Sequence, residues 1–252
     1  MRVAIISDIH GNLPALDAVL ADIARRGADL TVNCGDLLSG PLWPRETADR
    51  LIALNLPTIA GNHERQLLAC AQQRGSNADQ YAFEQTTPAQ RDWLATLPAR
   101  LEPLPGVVMV HGRPDSDLDY LLDTVDAADP AGVRQATPEE VRARCAGIDA
   151  ELLVCGHSHH PRVMQLSGGA LVVNAGSVGL QAYDDDHRAL HWIRNGSPHA
   201  RYALCERSAR GRWSVALIAV DYDWEAAAAQ AQRNGAPDWA LWLRTGWAQP
   251  GQ

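Results

Sequence analysis

The first sixty residues alternate short apolar runs with stretches whose apolar residues recur at helical spacing, the pattern of parallel strands joined by crossover helices. Arg2 to Ser7 (RVAIIS) reads as a buried strand. Beyond it Leu13, Leu16, Leu20 and Ile23 predict a helix with Asn12 as N-cap, Pro14 in its first turn and Gly27 at its end. Asp29 to Asn33 is a second strand, Arg45 to Leu54 a helix, and Pro57 to Ala60 a third short strand that runs into Gly61-Asn62-His63-Glu64. The order β-α-β-α-β points to an α/β fold in which each strand ends in a polar turn.

Further along, Thr87-Pro88-Ala89-Gln90 and Thr137-Pro138-Glu139-Glu140 have capping-box order and each opens a short helix. Val107 to Val110 is a strand that ends at His111-Gly112, and the aspartate-rich stretch that follows, about residues 113–135, reads as a long loop or cap. From Glu151 the strands come close together: ELLVCG, RVMQL, a Ser-Gly-Gly turn and ALVVNAG, then Ala200 to Glu206 and Trp213 to Val220 flanking the turn at Arg210-Gly211. Residues 223–252 form a helical tail with Trp224, Trp239, Trp242 and Trp247, whose pair at i and i+3 fits packing onto the body better than a dimer interface. No repeat or linker divides the chain, so 1–252 is expected to be one domain.

Composition removes several functions. All 22 basic residues are arginine, which excludes a P-loop lysine, a kinase lysine and Schiff-base chemistry. A net charge of −8 argues against broad nucleic-acid or anionic-membrane binding through a basic face. Five cysteines without a C-x-x-C spacing read as reduced core residues, and no apolar run reaches the length of a spanning helix, so a cytoplasmic protein is expected.

What remains is concentrated at strand ends, where open α/β sheets collect their ligands. Asp8-Ile9-His10, Gly35-Asp36, Gly61-Asn62-His63-Glu64, His111-Gly112 and Gly156-His157-Ser158-His159 each follow a strand, and with His160 they hold six of the nine histidines. Singly, each such residue reads as a cap or turn residue. Together they form a metal-ligand set, Asp8, His10, Asp36, Asn62, His111, His157 and His159, whose carboxylate, amide and imidazole donors without thiolate suit Mn, Fe, Zn, Co or Ni. Seven ligands exceed one ion's need and fit two ions about 3.5–4 Å apart, the usual clamp for displacement at phosphorus.

In this order the motifs D-x-H, G-D, G-N-H-E, H-G and G-H-x-H resemble those of the calcineurin-like metallophosphoesterase superfamily, and most closely its small bacterial and archaeal phosphodiesterase branch. Asn174-Ala175-Gly176-Ser177 resembles that branch's N-P-G-S segment with alanine for proline. The resemblance covers roughly residues 1–180. It implies a four-layer αββα sandwich of two mixed β-sheets flanked by helices. It also implies Asp8, His10, Asp36 and His159 on one metal and Asp36, Asn62, His111 and His157 on the other, Asp36 bridging. A metal-bridging hydroxide would attack phosphorus in line, and His63 would protonate or stabilise the leaving oxygen. Glu64 would either orient His63 or cap the following helix.

One departure bears on the substrate. The protein-phosphatase branch continues its G-D motif to an aspartate that pairs with the catalytic histidine and an arginine that holds phosphate, where this chain has Ser39 and Gly40. Asn12 and Arg113 are therefore the candidates for phosphate-oxygen contacts. The expected activity is hydrolysis of a small soluble phosphodiester with two divalent ions, manganese first among them. The alternatives are a phosphomonoesterase, a protein phosphatase or a diadenosine-polyphosphate hydrolase, and a non-catalytic scaffold such as the retromer subunit of this fold. A small phosphoester substrate is the expected partner, with homo-oligomerisation left open.

Overall fold

Residues 1–249 are described by the computed structural model. Helix α1 (Leu13–Arg26), which follows strand β1 (Arg2–Ile6), starts where Asn12 Oδ1 accepts from the Ala15 N–H and stops at Gly27, which takes a positive φ. Then come β2 (Leu30–Asn33), α2 (Pro44–Leu54), α3 (Asn62–Ala69), α4 (Asn77–Gln85) and α5 (Pro88–Leu94). The middle holds β3 (Arg100–Leu104), β4 (Val107–Val110), β5 (Asp123–Val125), β6 (Val133–Gln135), α6 (Pro138–Arg144) and β7 (Leu152–Cys155). The last third runs β8 (Arg162–Gln165), β9 (Leu171–Asn174), β10 (Ala182–Asp185), β11 (His191–Arg194), β12 (Ala200–Arg207), β13 (Trp213–Val220), α7 (Trp224–Arg233) and α8 (Pro237–Thr245).

Two mixed sheets form the centre, one ordered β13-β12-β1-β2 and the other β3-β4-β7-β9-β8. Side-chain alternation along each strand assigns every residue to a layer. Val3 and Ile5 of β1 meet Val107, Met109, Leu152, Val154 and Val173 of the opposite sheet, making the inter-sheet core. Ala4 and Ile6 turn the other way, toward Leu16 and Val19 of α1, Leu51 of α2 and Leu243 of α8. On the far face of the second sheet Val108, Val110, Leu153 and Val172 pack on Val141 of α6. The result is the helix–sheet–sheet–helix layering expected of the chain. All five cysteines are free, three of them buried, and no helix among the described residues is long and apolar enough to cross a membrane.

Three expectations change. Pro57–Ala60 makes only an isolated parallel bridge, Thr58 with Asn33, because Pro57 has no N–H and the Ala60 N–H turns away to Pro98 O. The 113–135 stretch contains the β5–β6 hairpin rather than a structureless loop. Tyr183 to Asp186, which reads as a solvated loop in sequence, falls largely in β10, paired with β11. The tail folds as α7 and α8, whose Ala227, Ala228, Ala231, Ala240 and Leu243 join the helical side of the core; residues 250–252 lie outside the described residues.

Candidate metal centre

The parallel pairs β1–β2 and β4–β7 end at one edge of the sandwich, and the residues just past those ends converge there. Asp8, His10 and His159 form one buried cluster and Asp36, His111 and His157 another, in each of which one donor atom per residue lies within 4.8 Å of the others. Asn62, at the first turn of α3, joins the second cluster: its Oδ1 is 3.1 Å from His111 Nε2, while its Nδ2 donates to Gln66 Oε1.

Backbone geometry marks the same residues. Seven non-glycine residues among those described have positive φ, and five of them are Asp8, His10, Asp36, His157 and His159. Such conformations cost energy and persist where the surroundings impose them. Here the fixing contacts are visible. The Asp8 N–H donates to Gly35 O and the Ser177 hydroxyl to Asp8 O, while Asn174 Nδ2 donates to Gly156 O. The Asn174–Ser177 segment thus ties the first ligand loop to the last. Glu64 accepts N–H bonds from Gly61, Asp36 and Leu37 at 2.7–2.9 Å, so it caps α3 and clamps the Asp36 turn; it makes no bond to His63. A Cβ at Gly61 would overlap Asp36 Oδ1.

The donor chemistry fits metal ions. His10, His111 and His159 each place Nδ1 at 2.7–2.8 Å from a backbone carbonyl, of Ser39, Cys34 and Leu180 respectively, which fixes the tautomer and leaves Nε2 aimed into the cluster. The Nε2 atoms of His10 and His159 face each other at 3.1 Å, and His157 Nε2 is buried without any partner. Burial and the neighbouring imidazoles push His10 down to about 3 and His157 down to about 4, so both rings are neutral, as ligation requires. Burial opposes charge on His111 as well, yet Asp36, with its Oδ2 at 3.1 Å, pushes that ring up to about 10. Burial would raise Asp36, but His111 and His63 hold it well below the carboxylate range. Carboxylates held ionised and imidazole nitrogens turned inward at the same point call for a cation between them.

His63 sits beside this cluster, its ring 5.3 Å from that of His10 and edge-on to it. Its Nδ1 lies 2.7 Å from Asp79 Oδ1, while its backbone N–H donates to Asp36. Burial opposes protonation of His63, but Asp36 and Asp79 together push it up to about 9. Asp79 is the functional residue that the sequence pattern misses. It stands in the first turn of α4, bonded to the Ser76 cap, and pairs with His63 from outside the G-D motif.

A cleft of about 660 Å³ opens over His10, Asp36, Asn62, His63, His157 and His159. The two residues expected to contact phosphate do not line it. Asn12 is fully buried as the α1 cap, and its Nδ2 donates to Gly179 O and the Tyr222 hydroxyl. Arg113 lines a separate depression, with its guanidinium engaged by Asp115. Trp239 and Trp242 of α8 and Asp184 to Asp186 of the β10 segment line the cleft instead. Trp239 lies 5.9 Å from His10 and against Gly40, where a Cβ would come within 3.0 Å of the indole. Three histidines outside the ligand set have structural partners: His160 meets Asp123, His187 meets Asp119 and the buried His191 meets the Tyr120 hydroxyl.

Comparison with known proteins agrees with this arrangement. The chain is 27% identical over 254 residues to an uncharacterised protein of Methanocaldococcus jannaschii, with 94% of each chain covered. A metallophosphoesterase of Sphaerobacter thermophilus of known structure superposes with a TM-score of 0.73 at 25% identity, covering 98% of this chain and all of the other. Residues 1–196 match the calcineurin-like phosphoesterase superfamily domain. With two candidate clusters for divalent ions at the strand ends and that match across most of its length, the chain belongs to the calcineurin-like phosphoesterase superfamily and is a phosphoesterase hydrolase.

Proposed function

We propose that this enzyme is a dinuclear phosphodiesterase that hydrolyses a small soluble diester. The observation that carries the reading is the pair of adjacent three-residue clusters, Asp8-His10-His159 and Asp36-His111-His157, beside His63, whose Nδ1 lies 2.7 Å from Asp79 Oδ1. Asp8, His10 and His159 of the first cluster and Asp36, His111 and His157 of the second, with Asn62, would hold the ions. Manganese suits this oxygen-and-imidazole set, and free cysteines fit a reducing cytoplasm. When bound, the ions lower the pKa of water and neutralise phosphoryl oxygens. His63 donates its proton to the leaving oxygen, and Asp79 holds the ring in position and keeps it charged.

The cleft's own charge favours a diester. Five aspartates and one arginine line it, and that arginine, Arg65, is engaged by Asp117 through two bonds. A monoester dianion or a polyphosphate would bring further negative charge with no free arginine to meet it, whereas a diester carries a single negative charge. No residue of the cleft occupies the phosphate-holding role first expected of Asn12 or Arg113. Manganese-loaded protein is expected to hydrolyse bis-p-nitrophenyl phosphate faster than p-nitrophenyl phosphate. EDTA or Asp36→Asn is expected to abolish that activity with loss of bound metal by elemental analysis. A metal-replete protein inactive on both esters overturns the reading.

A further inference from the structure

Trp239 and Trp242 stand on α8, which packs against β10, so two indoles and the carboxylates of Asp184 to Asp186 share one side of the cleft. The indoles are half-buried, 6.4 Å apart and tilted 44° to each other, with Trp239 edge-on to His10. They form an open corner rather than a parallel slot, a shape that suits a compact tetrahedral group better than a flat ring. The arginine nearest in sequence to the acidic run is taken elsewhere, since Arg188 pairs with Asp119, and His187, which also lines the cleft, places Nε2 3.3 Å from the same carboxylate. Asp184 and Asp186 are exposed at the cleft without a salt-bridge partner among the described residues, and Asp185 accepts the His187 backbone N–H within its own turn. Buried at the floor of the same cleft is the unpartnered Nε2 of His157, which marks where the phosphoryl group and its metals belong.

Aromatic faces beside unpaired carboxylates are the surroundings that an ammonium ion prefers, because the ring quadrupole attracts the cation and loses little solvation doing so. We propose that this wall receives a quaternary or primary ammonium group carried by one ester arm of the substrate, which makes the substrate a zwitterionic phosphodiester of the phosphorylcholine or phosphorylethanolamine class. The inference rests on the phosphodiesterase reading. The carboxylates of the β10 segment offset the repulsion between the ammonium and the metal ions, and the diester's single negative charge is neutralised at the metals. Chemically the step is hydrolysis: an oxygen–phosphorus bond forms from water, the bond from phosphorus to one alcohol breaks, and that alcohol leaves with the proton of His63. Of the water's two protons, one restores His63 and the other goes to solvent. Nothing is oxidised or reduced.

The test compares two chromogenic diesters that differ only in charge, p-nitrophenyl phosphorylcholine and its carbon isostere p-nitrophenyl 3,3-dimethylbutyl phosphate. The metal-loaded enzyme is expected to favour the choline ester in kcat/KM by on the order of tenfold. Trp242→Leu, and separately the double substitution Asp184→Asn with Asp186→Asn, are expected to bring that ratio toward one. The aspartates are at the surface, so the double variant remains informative if Trp242→Leu fails to fold. Equal rates on the two esters, a ratio that survives the aspartate substitutions, or faster hydrolysis of thymidine 5′-p-nitrophenyl phosphate would overturn the inference. If neither ester is cleaved, the phosphodiesterase reading fails first. Saturation-transfer NMR of choline on the EDTA-treated protein then decides the wall separately: a methyl signal lost on Asp184→Asn with Asp186→Asn sustains it, and no signal in the unsubstituted protein overturns it.

Discussion

A histidine one residue past a metal ligand becomes a proton donor only if something holds its ring and its charge. In the proposed mechanism Asp79 would do both, its Oδ1 lying 2.7 Å from Nδ1 of His63, with Nε2 turned to the leaving oxygen. The need for that proton depends on the alcohol released, which separates catalysis from structure. His63→Ala is expected to slow release of an alkyl alcohol by roughly 10²–10⁴-fold and release of p-nitrophenol by much less, because nitrophenolate leaves without a proton. Asp79→Asn is expected to show the same leaving-group dependence with a smaller loss. Asn12 is the opposite case, a residue next to the ligands whose bonds are all internal. Asn12→Ala is expected to cost about 1–2 kcal/mol of stability, read as a lower urea midpoint, with KM unchanged in the folded enzyme. Both residues stand in turns with local cap signals, and only the direction of the side chain distinguishes them.

At the level of elements, helices and hairpins from remote parts of the chain complete the site. Helix α4 supplies Asp79, α8 supplies Trp239 and Trp242, and β10 supplies the acidic wall. The β5–β6 hairpin is held to α6 by Arg134, which reaches Asp126 and Glu140. Arg134 beside it and the Thr137 N–H hold Glu140 down at about 2. Because the folded value lies below an unfolded value of about 4.3, this contribution to stability is present above that pH and is lost as the pH falls toward 2. Both partners are near the surface, so the effect is small and screened by salt. Arg134→Ala is expected to flatten the fall in urea midpoint between about pH 5 and pH 2 at low salt, while the unsubstituted protein keeps it.

At the scale of the molecule, the sandwich sets two groups of parallel strand ends against each other and crowds carboxylates and imidazoles into one edge. That edge favours cations, since the Asp36 carboxylate is held ionised and the Nε2 atoms of His10 and His159 face each other at 3.1 Å. Ions that bind the folded state alone therefore stabilise it. Manganese at about 100 times its dissociation constant is expected to add about 2.7 kcal/mol, a rise of roughly 5–10 °C in thermal midpoint, which EDTA reverses and Asp36→Asn largely removes.

How far the chain can be read without its fold follows from how local each signal is. Strands β1, β2, β4, β7 and β9 are short apolar runs, and the ligands stand within four residues of the strand ends or at the first turn of α3, so both the layers and the ligand set are written in contiguous stretches. The absence of lysine and the motif order likewise need no coordinates to narrow the chemistry to metals. Asp79, Trp239, Trp242 and Asp184 to Asp186 carry no such mark. An aspartate in a first turn, a tryptophan pair at i and i+3 and an acidic run have ordinary local explanations, and they acquire a role only when packing brings α4, α8 and β10 to the strand ends. Sequence alone thus determined where charge and metal belong, because ligand spacing is tied to strand ends; tertiary packing decided what lines the cleft beside them, because those walls come from remote segments, α8 lying more than two hundred residues from Asp8 and His10 in the chain.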